Sequence, residues 1–229
     1  MPWTSSELEQ LSPILQQILL DLPEWPSAHI LVLCSGRGET TFWLADHLPG
    51  AQFTGLELDR GCLEAAILQS GRRETERIHF YESEFSHVPF PDASFDAVVS
   101  ESILHPTPAA TRISHAEMAR VLRPGGRLLL TDLLLSRPIP HLLRNELHAI
   151  GIRYMSEASL DQLRCWLEEA GLVDLFATDL THLFQRIWRS RRAADIYLRG
   201  GIGYALLFDD PAYCLGCGIH YVYLHGVKS

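Results

Sequence analysis

From His29 the chain runs through ILVLC, apolar without alternation, and breaks into Ser35-Gly36-Arg37-Gly38. A strand buried on both faces of a parallel sheet has this pattern. Residues 39–47 then suit a helix, AQFTGLELD a second strand, and residues 60–70 a helix with Leu63, Ala66, Ile67 and Ser70 on one side. RIHFYE predicts a third strand and SFDAVVS a fourth; a helix over residues 109–122 follows, then GRLLLTDLLL as a fifth strand after the Pro124-Gly125-Gly126 turn. Strict alternation of strand and helix implies right-handed βαβ units and a doubly wound parallel sheet.

The flanks depart from that rhythm. Ser12 followed by Pro13 predicts an N-cap with proline at the first helical position, opening a short amphipathic helix that Pro23 stops. Past Arg137 comes a long region containing HLLRNELHAI; Ser159 then caps LDQLRCWLEEA, with Gln162 reaching back and Gly171 closing the helix. LVDLFA predicts a strand, residues 180–198 a helix, and IHYVYLHGV the final strand. The expected organisation is one domain over residues 1–229: an N-terminal helical cover to 27, a core from 28 to 135, a helical cap with the sixth strand from 136 to 205, and a terminal strand region from 206 to 229.

Composition narrows the function. A chain of 229 residues, 47% hydrophobic and without low-complexity blocks, should be ordered over most of its length. Its net charge of -9 disfavours nucleic acid and anionic lipid, which bind clustered Lys and Arg. The start MPWTSSELEQ lacks a basic or apolar leader, and no stretch reaches the roughly 18 to 20 apolar residues of a membrane span, so a cytoplasmic protein without membrane partners is expected. The five cysteines, odd in number and irregularly spaced, suit reduced thiols. Cys214 and Cys217 stand at metal-binding spacing, but tetrahedral zinc needs further ligands and no second pair exists, so no metal is expected.

Ligands of an open parallel sheet bind beyond the carboxyl ends of its strands, where the strand order reverses, and the CSGRGE loop lies at such a place. Gly36 and Gly38 let backbone approach a ligand, and the following helix start offers N–H groups. A dinucleotide fold would want a third glycine, where this chain has Thr41. Glu57, about twenty residues after the loop, can accept hydrogen bonds from a ribose diol or act as an acid at a helix N-terminus.

Taken together, ILVLCSGRGETT, GLELD, ESEFSHVPFPDASFDAVVSES and ARVLRPGGRLLLTDL resemble, in order and spacing, the motifs of class I S-adenosylmethionine-dependent methyltransferases. The nearest group is the ubiquinone/menaquinone C-methyltransferase-like (methyltransferase type 11) group. The resemblance covers residues 30–135, with VPFPDASFDAVV and RVLRPGG its most specific parts. It implies an α/β, Rossmann-like fold: a mostly parallel sheet of seven strands, the last inserted antiparallel, with helices on both faces and an added helical cap. S-adenosylmethionine would lie across the ends of strands one, two and four. Gly36 and Gly38, in a loop with Cys34, Ser35 and Arg37, would face its methionine and ribose portion. Glu57, followed by Leu58, would take the ribose hydroxyls; Glu84 would take the adenine amino group with Phe85 beside the ring; Ser100 and Glu101 would lie near the amino-acid moiety and the methyl group. A family pattern LDxGxGxG aligns as LVLCSGRG, so Val32 replaces the common acid and Cys34 the first glycine. Val32 can pack in a buried strand, and Cys34 fits if its backbone stays in an ordinary conformation.

In methyl transfer the sulfonium is already activated, and the nucleophile must be aligned behind the methyl group at about 3 Å. An acceptor hydroxyl or amine can give its proton to a histidine. His105, just after the fourth strand, is the first candidate base, against the reading of a loop histidine that packs; His141 and His148 follow. Trp188, Tyr197 and Tyr204 fit an aromatic acceptor pocket or, more commonly, a core. Arg186, Arg189, Arg191 and Arg192 fit a solvated helix face better than an anion site. The expected function is methyl transfer to a small-molecule acceptor. The alternatives are a methyltransferase-like partner subunit without turnover, hinted at by Val32, and a dinucleotide oxidoreductase.

Overall fold

The computed structural model describes residues 5–22, 27–73, 75–101, 108–135, 158–183 and 219–229. In chain order they form α1 (Ser5–Asp21), β1 (His29–Leu33), α2 (Glu39–His47), β2 (Gln52–Glu57), α3 (Arg60–Arg72), β3 (Ile78–Glu82), β4 (Phe95–Glu101), α4 (Pro108–Val121), β5 (Leu122–Leu135), α5 (Leu160–Glu169), β6 (Leu172–Asp179) and β7 (Ile219–Lys228). The seven strands make one sheet in the order β3-β2-β1-β4-β5-β7-β6. Strands β1 to β5 pair in parallel, and β7 runs antiparallel between β5 and β6. This is the Rossmann-like sheet that the resemblance implies, its order reversing between β1 and β4.

The apolar runs of the strands exist because both faces are covered. Ile30, Val32, Phe53, Ala97, Val99 and Leu129 pack on one face with Ile14 and Ile18 of α1, Phe42 and Leu44 of α2, and Leu63 and Ala66 of α3. Leu31, Leu33, Leu56, Val98, Leu128 and Leu130 pack on the other with Met118 and Ala119 of α4 and Leu163 and Leu167 of α5. Alternate residues of each strand thus enter separate cores.

Several local expectations are corrected. Helix α1 begins at Ser5, so Pro13 lies inside it and not at its first position. The preceding Ser-Glu-Leu-Glu-Gln-Leu stretch favours helix, and Ile14, Leu15, Ile18 and Leu22 bury the face beyond the proline. Ile67 is half exposed, because at 100° per residue it sits about 65° from the centre of the Leu63, Ala66 and Ser70 stripe. Strand β5 starts before the Pro-Gly-Gly turn: Leu122 already pairs with Phe95, and regular pairing resumes at Arg127 with Ala97. The Ser159 hydroxyl accepts the Gln162 N–H at 3.2 Å and caps α5, while Gly171 at φ 84° closes it. Most of the expected cap and of the helix over 180–198 lies outside the described residues.

Strand β7 also anchors the N-terminal helix. The Tyr223 hydroxyl, on a residue 2% exposed, donates to Asp21 Oδ2 at 2.7 Å, and Arg127 Nη1 donates to the Asp21 carbonyl at 2.8 Å. Burial pushes the Tyr223 phenol far above its ordinary value, and the bond to Asp21 adds to the shift. Hydrogen bonds to charged groups contribute about 1.5 to 3 kcal/mol, so Tyr223→Phe should lower unfolding free energy by that amount in urea titration. A midpoint unchanged within error would show that β7 does not hold α1 through this bond.

Candidate functional site

The register brings three strand ends together. Leu33 of β1 pairs with Leu56 of β2 on one side and Ser100 of β4 on the other, so Cys34, Glu57 and Glu101 are the next residues on adjacent strands. The loop after β1 is folded tightly onto this point. Ser35 donates its N–H to the Leu56 carbonyl at 3.1 Å and its hydroxyl to the same oxygen at 3.3 Å. The Gly36 N–H goes to Glu57 Oε2 at 2.8 Å, and the Gly38 N–H to the Ser35 carbonyl at 2.8 Å. Gly38, with φ 88°, could carry no Cβ, since it would lie 2.6 Å from the Phe42 ring and 2.8 Å from Phe80.

Cys34 has φ 56°, so the expectation of an ordinary backbone there is wrong. Left-handed geometry costs a residue with a Cβ roughly 1 to 2 kcal/mol; the anchored neighbours Ser35 and Gly36 impose it. The helix start also offers fewer N–H groups than expected. Glu39, the first residue of α2, turns its own carboxylate back to the Arg37 N–H at 3.1 Å. Arg37 itself is exposed at the rim.

Glu57 is the centre of the site. It is 7% exposed, and its carboxylate accepts three backbone N–H groups: Gly36 on Oε2, Leu58 at 2.8 Å and Asp59 at 2.9 Å on Oε1. A buried carboxylate is tolerable only with such partners. Its two oxygens offer about four acceptor positions, which leaves room for a ligand hydroxyl. The reading of Glu57 as a helix cap is excluded, because Asp59 takes that role, accepting the Cys62 N–H at 2.8 Å. That bond holds the Asp59 carboxyl below its ordinary value. Leu58, beside Glu57, leaves an apolar side chain 53% exposed.

The loop after β3 closes the same end. Ser83 donates its N–H to the Glu57 carbonyl at 3.2 Å, which sets Glu84 beside β2. The Glu84 carboxylate is exposed, with the Ser86 hydroxyl at 3.5 Å, while half-buried Phe85 packs on the α4 side of the core. Sequence reasoning missed what holds this loop. Arg120 of α4 donates to the carbonyls of Phe90 and Val88 at 2.9 Å, to Asp92 at 2.8 Å, and to both oxygens of Glu117; Glu117 in turn accepts the Val88 N–H at 2.9 Å. The signal was present, because Arg120 is the arginine of RVLRPGG and its partners are the VPFPD loop.

Ser100 is fully buried, and its hydroxyl has no hydrogen-bond partner. Glu101 ends β4. Val32 packs in the core as expected, 1% exposed. His105, His141, His148, Trp188, Tyr197, Tyr204, Arg186, Arg189, Arg191, Arg192, Cys214 and Cys217 lie outside the described residues. Among the described residues no group of three His, Cys, Asp or Glu side chains could hold a metal ion, and no helix is long and apolar enough to cross a membrane.

Comparison with known proteins agrees with this geometry. A family described as "Methyltransferase domain" matches residues 30–126. An O-methyltransferase of Penicillium expansum is 32% identical over 78% of this chain and 64% of its own length. An O-methyltransferase of Aspergillus sclerotiorum is 30% identical over 78% of this chain and 67% of its own length. The chain therefore spans about two thirds of the length of these relatives. Among solved structures, geranyl diphosphate methyltransferase in complex with GPP and sinefungin superposes with a TM-score of 0.76 over 95% of this chain and 77% of that one, at 17% identity, which supports the fold. The sheet order, the motif-bearing loops and the matched relatives agree: the chain belongs to the class I S-adenosylmethionine-dependent methyltransferases.

Proposed function

We propose that the chain binds S-adenosylmethionine across the ends of β1, β2 and β4 and transfers its methyl group to a small-molecule acceptor. The observation that carries this reading is the Glu57 carboxylate, buried at the strand ends, tied to the glycine loop and with acceptor capacity left over. The bound cofactor supplies a methyl group activated by its sulfonium. Glu57 accepts a ribose hydroxyl, and Glu84 accepts the adenine amino group. Leu58 and Phe85 cover the ring, which gives the exposed Leu58 side chain an apolar partner. Gly36 and Gly38, with Cys34, Ser35 and Arg37, leave backbone open to the methionine portion. Ser100 and Glu101 hold its amino-acid end, and the unpartnered Ser100 hydroxyl fits that role.

His105 accepts the proton of the acceptor as the new bond to the methyl carbon forms. A net charge of -9 and relatives named as O-methyltransferases support a small-molecule acceptor over nucleic acid. An acceptor screen with labelled S-adenosylmethionine, read by mass spectrometry of the product, tests the reading. Binding without transfer to any acceptor would favour a partner subunit that has lost turnover. With an acceptor in hand, His105→Ala should lower turnover by about 100-fold, within the range of general-base contributions, while cofactor affinity stays within about twofold. Turnover close to the parent's would return His105 to a structural role.

A further inference from the structure

The layer between α4 and the sheet changes character along its length. Near the C-terminus of α4 it is apolar: Met118 and Val121 pack with Val98, Leu128 and Leu130. Toward the N-terminus of α4 the same side of the helix carries Thr111, Ser114 and His115, which are 1%, 0% and 2% exposed. The strands change at the same level. Val98 is followed on that face by Ser100, fully buried, and Leu130 by Asp132, 2% exposed. Because α4 links two parallel strands, it runs back antiparallel to them, and its N-terminal half lies at the ligand end of the sheet.

Five polar side chains thus share one end of an otherwise apolar layer. The hydroxyls of Ser100 and Ser114 have no hydrogen-bond partner. Buried hydroxyls are normally paired, and each exception asks for an explanation. The position suggests one. The proposed cofactor site puts adenosine over β2 and β3, so an acceptor must reach the methyl group from the other side, over β4 and β5.

We infer that this polar layer is the subsite for a hydroxyl group of the methyl acceptor. A hydroxyl suits it because it can donate to the Asp132 carboxylate and accept from a serine hydroxyl, whereas a carboxylate or phosphate would face the Asp132 charge and an alkyl group would leave the serines unpaired. The inference rests on the methyl-transfer reading above and deepens it.

The test uses the full chain saturated with S-adenosylhomocysteine, probed by ligand-observed NMR with phenol and with toluene, which matches it in shape. Phenol should bind about tenfold more tightly than toluene, the value of one good hydrogen bond. Ser114→Ala should remove that preference while S-adenosylhomocysteine affinity stays within about twofold and the melting temperature is not lowered, since alanine is the better helix former. Phenol binding no better than toluene, or a preference that survives Ser114→Ala, overturns the inference and leaves the methyl-transfer reading standing. A Ser114→Ala protein that melts several degrees lower also overturns it, by assigning the hydroxyl to stability. Failure of S-adenosylhomocysteine itself to bind would instead overturn the underlying reading.

Discussion

Glu57→Ala is expected to weaken S-adenosylhomocysteine binding by more than about 100-fold, or about 3 kcal/mol, as measured by calorimetry. Two losses combine. The ribose loses a charged acceptor, worth about 1.5 to 3 kcal/mol, and the glycine loop loses its tie to β2 through the Gly36 N–H. The N–H groups of Leu58 and Asp59 lose their acceptor as well, so the variant should also unfold at lower urea. Glu57→Gln should rescue little, because its amide can keep one oxygen toward Leu58 and Asp59 only by turning an N–H donor toward that of Gly36. A folded Glu57→Ala protein with the parent's affinity would make Glu57 a scaffold residue and move the diol acceptor elsewhere.

Arg120→Ala should cost about 2 to 4 kcal/mol of unfolding free energy. The side chains of Arg120 and Glu117 are 30% and 17% exposed, so the pair is partly screened, and the estimate is set below that for a fully buried one. The cost arises because Glu117 would lose its counter-charge while the Val88 and Phe90 carbonyls lose their donor. Lysine should not substitute, since a point charge cannot bridge a carboxylate and two carbonyls as the planar guanidinium does. The effect depends on pH in a definite direction. Hydrogen bonds from Arg120 hold the Glu117 carboxyl below its ordinary value of 4.5. A depressed folded value stabilises the fold above the unfolded value, and that contribution fades as pH falls through the folded one. The gap in stability between parent and Arg120→Ala should therefore be full near neutrality and shrink below about pH 4.5. A gap independent of pH would mean that Arg120 acts through the carbonyls alone. The loop it holds carries Glu84 and Phe85, so the variant should also bind cofactor more weakly.

The sheet was legible because strands buried on both faces leave unbroken apolar runs, and turns between them need Gly, Pro or polar residues. Even the end of β2 as a ligand site could be read, because Glu57 stands at a fixed distance from the glycine loop. What escaped is set by tertiary contact. Pro13 looks like a helix start, yet burial of Ile14, Ile18 and Leu22 sustains a helix on both sides of it. Cys34 carries no sign that Ser35 and Gly36, fixed to β2, will force it to φ 56°. Glu39 reads as an ordinary first-turn acid, although its reach back to Arg37 uses up an N–H group otherwise open to a ligand. Arg120 is invisible as a scaffold in one dimension, because its partners Val88 and Phe90 lie 32 and 30 residues away.

Calorimetric titration of the parent protein with S-adenosylhomocysteine tests the central claim most directly. The altered loop, with Val32 in the core and the Gly36 N–H already satisfied by Glu57, removes one polar interaction at most. Such a loss weakens binding by roughly tenfold, which leaves a dissociation constant at or below about 100 μM, or about -5.5 kcal/mol. Saturable binding in that range, absent in Glu57→Ala, is the result the account predicts; no heat of binding at millimolar ligand would contradict it.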